Sequence, residues 1–259
     1  MRDSINFLII GDIVGRPGRT VLKNRLQGLR DLYRAEFVIA NGENTAGGSS
    51  ITPDKYNELK SMGIEVVTTG NHIWDKKEAV SLLKEEPSLL RPANYPPGAP
   101  GEDWVVKDVR GLKVCVINLV GRLFMAPVDC PFRKFDEIYG EVKAVSDIII
   151  VDFHAEATSE KRAFGWHADG RASLVFGTHT HVQTADEEIL PGGTGYITDI
   201  GMTGSFDSVI GFNRESAVRK FLTQLNVRRE VALKNSRVNA IFVRISGSGK
   251  TEEIKRISV

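Results

Sequence analysis

Short runs of β-branched and other apolar residues recur along the chain, and each ends abruptly in a polar cluster. The run 5–10 leads into Gly11-Asp12, 37–40 into Asn41-Gly42-Glu43-Asn44, and 66–69 into Gly70-Asn71-His72. Further on, 148–153 leads into His154, 174–176 into Gly177-Thr178-His179-Thr180-His181, and 196–198 into Asp199-Ile200-Gly201. Runs this brief, with little alternation, suit strands buried on both faces. Between them the period changes. Val21, Leu22, Leu26, Leu29 and Tyr33 recur at helical spacing after Gly18. Thr52-Pro53 predicts a helix start that Leu59 and Met62 continue, and 75–83 and 215–225 predict two further helices. Strand–helix–strand alternation in the first third predicts right-handed parallel crossovers. Runs 104–109 and 113–119 flank Arg110-Gly111, and 238–245 and 252–257 flank 246–250; both pairs predict antiparallel hairpins. The expected class is α/β. Candidate chemistry falls on both sides of the proline-rich stretch 91–101. That stretch therefore predicts a loop inside a single domain, 1–259, rather than a boundary.

Composition narrows the field. The 259 residues carry 34 Lys+Arg against 33 Asp+Glu, a formal charge of +1, and 41% are hydrophobic. Disorder requires low hydrophobicity with high net charge, and a broad nucleic-acid-binding face usually brings a large basic excess. Cys115 and Cys130 form no Cys-x-x-Cys pair, which points to a reducing compartment. Met1-Arg2-Asp3-Ser4 leads into Phe7-Leu8-Ile9-Ile10, and Asp12 cuts that run short of a secretory core. The apolar run 148–151 is far too brief to span a bilayer. A cytoplasmic protein without membrane partners is expected.

Most of the functional signal lies in the histidines. His72, His154, His179 and His181 follow strand ends directly, and ligands bind at the carboxyl ends of parallel strands. Asp12, Glu43, Asn44 and Asn71 occupy equivalent places. Imidazole with carboxylate is the ligand set of Zn, Fe and Mn. His179 and His181 are two residues apart, so on extended chain both rings point to one side. Each piece also has a plainer reading: an exposed loop pair, a satisfied core histidine at 154, β-turns at Gly70-Asn71 and Asn41-Gly42, a helix cap at Asp12. Their joint placement carries the argument. Gly249-Lys250-Thr251 imitates the end of a phosphate-binding loop, but Arg244 stands where its first glycine belongs, and a hairpin turn is expected instead.

In this order the motifs resemble the calcineurin-like metallophosphoesterase superfamily, and more closely its YmdB-like bacterial branch. The matching segments are Gly11-Asp12-Ile13-Val14-Gly15, Asn41-Gly42-Glu43-Asn44, Gly70-Asn71-His72-Ile73-Trp74-Asp75, Asp152-Phe153-His154-Ala155-Glu156, Gly177 through Asp186, and Thr198 through Gly204. The resemblance implies a four-layer sandwich, two mixed β-sheets flanked by helices. It implies a two-metal phosphodiesterase acting on 2′,3′- and 3′,5′-cyclic nucleotides by metal-hydroxide attack. Asp12, Glu43, Asn44 and His181 would hold one metal; Glu43 as a bridge, with Asn71, His154 and His179, would hold the other. His72 would be the general acid. Iron is the implied native metal, manganese a substitute, and a homo-oligomer is expected. Val14 departs from the superfamily's usual Asp-x-His, and Asn44 takes the missing histidine's place, as in the branch.

Beside this, His167 reads as structural or peripheral, and Glu156 and Asp199 as candidate supports for the histidines. Three other functions compete. A phosphomonoesterase or nucleotidase would use the same metals. A non-catalytic regulatory metal-binding protein would be expected to have lost part of the ligand set. An RNA-binding module lacks a basic-aromatic segment, although RNA ends stay a less favoured substrate.

Overall fold

The computed structural model describes residues 4–228 and 230–259; the start of the N-terminal stretch, residues 1–3, lies outside the described residues. In chain order the strands are β1 (Ile5–Ile10), β2 (Asp12–Ile13), β3 (Phe37–Asn41), β4 (Val66–Thr68), β5 (Leu89–Leu90), β6 (Trp104–Val109), β7 (Leu112–Val120) and β8 (Ile148–His154). They continue as β9 (Leu174–Thr178), β10 (Glu188–Ile189), β11 (Gly195–Ile197), β12 (Met202–Ser205), β13 (Ser236–Arg237), β14 (Asn239–Ile245) and β15 (Thr251–Ser258). The helices are α1 (Gly15–Tyr33), α2 (Pro53–Ser61), α3 (Lys77–Glu85), α4 (Pro131–Val142), α5 (Thr158–Ala168) and α6 (Arg214–Thr223).

Two six-stranded sheets form, in the orders β15-β14-β1-β3-β4-β5 and β10-β11-β9-β8-β7-β6. In the first, β1, β3, β4 and β5 are parallel. In the second, β7, β8, β9 and β11 are parallel. A small third sheet, β13-β12-β2, lies beside the first turn after β1. The alternation of side chains assigns the layers. Ile5, Phe7 and Ile9 of β1 and Ile148 and Ile150 of β8 pack into one core between the large sheets. Leu8 and Ile10 turn the other way, against Leu22, Leu26 and Leu29 of α1 and Leu59 of α2. Ile149, Val151 and Phe153 turn outward against Phe135 of α4 and Phe164 of α5. Three cores between four layers make the expected sandwich, helices outside and mixed sheets within. Burying each large apolar side chain contributes roughly 1.5–3 kcal/mol.

Some expectations are revised. α4 and α5 are not among the predicted helices, although Phe135, Ile138 and Val142 of α4 recur at helical spacing. α5 fails to announce itself because it buries Glu160, Lys161 and Gly165 alongside Phe164. The helix expected over 75–83 is a short 3₁₀ turn, Ile73–Asp75, followed by α3. Thr52 precedes α2 but its hydroxyl bonds to Asp54 rather than capping the backbone. The two hairpins form as expected, with Arg110 and Gly111 at positive φ in the first. The C-terminal hairpin then closes the first sheet, β14 pairing antiparallel with β1. No helix among the described residues is long and apolar enough to cross a membrane.

Candidate metal centre

The carboxyl ends of both parallel sets converge on one rim. Asp12 opens β2 just past the end of β1, the turn after β3 delivers Glu43 and Asn44, and the turn after β4 Asn71 and His72. From the opposite sheet, β8 delivers His154 and the turn after β9 His179 and His181. The period of two explains His154: Ile148 and Ile150 face the inter-sheet core, so Asp152 and His154 face inward too. Asp152 is fully buried and accepts bonds from Thr68 Oγ1 at 2.5 Å, Asn41 Nδ2 at 3.2 Å and Thr178 Oγ1 at 2.7 Å. The His154 ring packs against Gly70, where an added Cβ would come within 2.2 Å of it.

Around His154 Nε2 stand Glu43 Oε1 at 3.0 Å, Asn71 Oδ1 at 3.1 Å and His179 Nδ1 at 3.0 Å. Glu43, His154 and His179 thus form a group of potential ligands whose atoms lie within 4.8 Å of one another. Asp12 Oδ1 is 3.8 Å from His181 Nε2 and 3.9 Å from His154 Nδ1. Asn44 joins through its neighbour Glu43 and through its carbonyl, which accepts Gly15 N at 2.9 Å.

The histidine hydrogen bonds select which nitrogen faces the centre. Thr178 Oγ1 donates to Asp152, so it accepts from His154 Nδ1 at 2.8 Å and leaves Nε2 for the site. His179 Nε2 bonds Glu156 at 3.1 Å and leaves Nδ1. His181 Nδ1 bonds the Ile210 carbonyl at 2.9 Å and leaves Nε2. Metal-bound histidines are oriented in this way, each giving its other ring nitrogen to a protein acceptor. Two buried oxygens, Asp12 Oδ1 and Asn44 Oδ1, have no hydrogen-bond partner among the described residues, while the Asn44 amide nitrogen is committed to Gly48 O at 3.2 Å. Unpaired buried oxygens of this kind cost free energy that a cation would offset. The donor set fits metal ions.

In the metal-free centre the buried charges offset one another, Glu43 against His154. Burial pushes the Asp12 carboxyl up from its ordinary value, opposed by His181 and His154. Burial also opposes ionisation of Glu43, but His154 and His72 outweigh it and hold the carboxyl at about 2. Burial disfavours charge on His154, yet Glu43, Asp12 and Asp152 outweigh it and lift the ring to about 9. Burial and the charge of His154 drop His179 to about 3, so its contact with Glu156 is a neutral hydrogen bond rather than an ion pair.

His72 stands slightly apart. Its backbone N–H donates to Glu43 Oε2 at 3.1 Å, and its Nδ1 bonds Asp75 Oδ2 at 2.9 Å. Nε2 has no protein partner among the described residues, and the side chain is 31% exposed, open to a substrate. His167 is elsewhere, bonded to Asp136 at 2.9 Å and packed on Phe132 between α4 and α5. The expectation of extended chain at 179–181 is overturned. His179 and His181 have φ of 98° and 66°, so they sit on a tight turn and their rings reach different partners. The sequence pattern assigns no role to Asp75 or Thr178, which lie inside matching segments, or to Lys161. Asp75 alone carried a usable signal, three residues after His72 on a helical turn.

Residues 8–257 match the sequence profile of the YmdB-like protein family. The chain belongs to that family. A 2′,3′-cyclic-nucleotide 2′-phosphodiesterase of Bacillus subtilis (strain 168) is 46% identical over 256 residues, covering 98% of this chain and 97% of its own. The crystal structure of a hypothetical protein from Thermus thermophilus superposes with a TM-score of 0.94 at 41% identity, covering 98% of this chain and 99% of that one. A crystal structure described as a novel phosphatase, from Mycoplasma pneumoniae, gives 0.95 at 36% identity, covering 100% and 94%. The family resemblance read from the motifs is therefore borne out.

Proposed function

We propose that this family member is a dinuclear-metal phosphodiesterase that hydrolyses cyclic nucleotides, the 2′,3′ and also the 3′,5′ forms. The observation that carries the reading is the tautomer pattern. Three imidazoles each commit one nitrogen to a protein acceptor and turn the other inward, His154 toward Glu43, His181 toward Asp12 and His179 toward His154 Nε2. The name of the Bacillus subtilis relative supplies the substrate class. Asp12, Glu43, Asn44 and His181 would hold one metal, and Glu43, Asn71, His154 and His179 the other. Iron is the proposed native metal and manganese its working substitute. When bound, the metals supply Lewis-acid stabilisation of the phosphoryl charge and a more acidic water.

The chain's own residues do the rest. Glu43 and Asp12 bring two negative charges to the rim, so the anionic substrate is met only after these are neutralised. The Asp152–Thr178 relay fixes His154 in one tautomer. Asp75 holds the His72 ring by Nδ1 and leaves Nε2 to give its proton to the departing ribose oxygen. That oxygen is strongly basic, and general acid catalysis of this kind contributes about 10²–10⁴-fold.

His72→Ala tests the assignment. The variant is expected to keep its metals and lose about 10²–10⁴-fold in turnover of 2′,3′-cyclic AMP. A nitrophenyl diester, whose leaving group is weakly basic, should suffer far less. Equal losses on both substrates, or loss of metal, would contradict the acid role. The phosphatase among the relatives motivates a second reading, monoester hydrolysis at the same site. Comparing adenosine 2′- and 3′-phosphates with the cyclic diester separates the two.

A further inference from the structure

Charges are rarely buried without a partner, because removing them from water is costly. α5 buries two in succession. Glu160 accepts the backbone N–H groups of Arg122 at 3.0 Å and Leu123 at 3.2 Å, holding the loop after β7. Lys161 points the other way and forms an ion pair with Asp199 at 2.6 Å, with side chains 1% and 0% exposed. Neither Lys161 nor Asp199 belongs to the proposed ligand set.

Their contacts bracket His179. Lys161 Nζ donates to the Thr178 carbonyl at 2.7 Å. Asp199 Oδ2 accepts the Thr180 backbone N–H at 3.1 Å and its hydroxyl at 2.8 Å, while Oδ1 accepts Gly201 N at 2.8 Å. One ion pair therefore grips the residues on both sides of His179. That turn is strained: His179 and His181 are non-glycine residues with φ of 98° and 66°. Such conformations cost free energy and persist only where the surroundings impose them. Gly177 permits the close approach, since a Cβ there would fall 1.8 Å from the Thr198 carbonyl oxygen.

We propose that Lys161 and Asp199 are positioning residues that hold the 178–181 turn in the strained shape from which His179 and His181 reach the metal centre. Lys161 touches neither ring; it acts through Thr178 and Asp199. The inference rests on the metal-site reading above and adds a determinant of metal affinity to it. A pair serving only core stability would be expected to end on core groups. Instead, three of the pair's five side-chain polar contacts go to the turn, the other two being the ion pair itself and Gly201.

The test uses the full chain with both charges removed, so that neither is left buried alone. Lys161→Met/Asp199→Asn keeps one neutral acceptor for Thr180; Lys161→Met/Asp199→Ala keeps none. Mn²⁺ affinity is measured by titration. Amide exchange at Thr180 is measured by NMR on chelated protein, and melting temperature on the same samples. Both doubles are expected to bind Mn²⁺ about 10–100-fold more weakly, the Ala form worse than the Asn form. Thr180 should exchange faster in the same order, and excess Mn²⁺ should restore turnover. Wild-type affinity and wild-type Thr180 protection in a folded double variant would overturn the proposal. So would a lowered melting temperature with both of those unchanged. A wild type that binds Mn²⁺ but cleaves no cyclic nucleotide would overturn the proposed function instead, while a weaker Mn²⁺ affinity in the doubles would still support this inference.

Discussion

α5 and α6 are helices of 11 and 10 residues that invert the usual division between inside and outside. α5 buries Glu160 and Lys161 along with Phe164 and Ala168. α6 buries nothing, and leaves Phe221 75% and Leu222 80% exposed. α6 does have a local start signal, Asn213 accepting the Ser216 N–H at 2.9 Å. A cap defines where a helix begins; it does not supply a face to pack on. α5 lacks a side-chain cap but is fixed by what its charges reach, the loop after β7 and the turn that carries His179. Burial at the rim follows the needs of the site rather than hydropathy.

The comparison breaks first at Lys161. Lys161→Met alone leaves the Asp199 carboxylate buried without its cation, and should cost about 3–5 kcal/mol in a denaturant titration. A loss below about 1 kcal/mol would mean that the pair is solvated and that α5 is an ordinary surface helix.

A smaller effect is expected from pH in chelated protein. His154 sits at about 9 in the folded state, above its ordinary 6.5, so its stabilising contribution is complete below pH 6.5 and is lost as pH rises through 9. Asp152, raised by burial to about 7, loses its own contribution between 3.8 and 7. The melting temperature should therefore fall between pH 7 and 9, and His154→Asn should flatten that fall. An unchanged slope in the variant would place the titration elsewhere.

The smallest effect belongs to α6. Leu222→Ser removes an exposed side chain and should change unfolding free energy by no more than about 0.5 kcal/mol. A larger loss that grows with protein concentration would show that another copy covers this helix, sharpening the contrast with α5.

Much of this molecule is legible in its sequence. The parallel strands are, because apolar runs such as Ile5–Ile10 and Ile148–His154 have no other economical fate. The rim residues are, because strand ends in α/β sheets present their next residues to one side. What escapes is buried polarity. Lys161 in a run of Thr, Ser, Glu, Lys and Arg looks like a solvated surface, and nothing local marks Thr178 as the relay between Asp152 and His154. The conformation of His179 and His181 escapes for the same reason. The contact that holds the residue between them comes from Asp199, twenty and eighteen residues away, and no turn-forming residue lies between them.

The central claim is that these side chains hold two metals that hydrolyse a cyclic phosphodiester. The most direct measurement is turnover of 2′,3′-cyclic AMP and metal content on one purified sample, taken through chelation and reloading with iron or manganese. The account predicts activity that vanishes on chelation and returns in proportion to about two metals per chain. Metal binding at that stoichiometry without turnover of the cyclic nucleotide would contradict the substrate, and no metal binding after reloading would contradict the site.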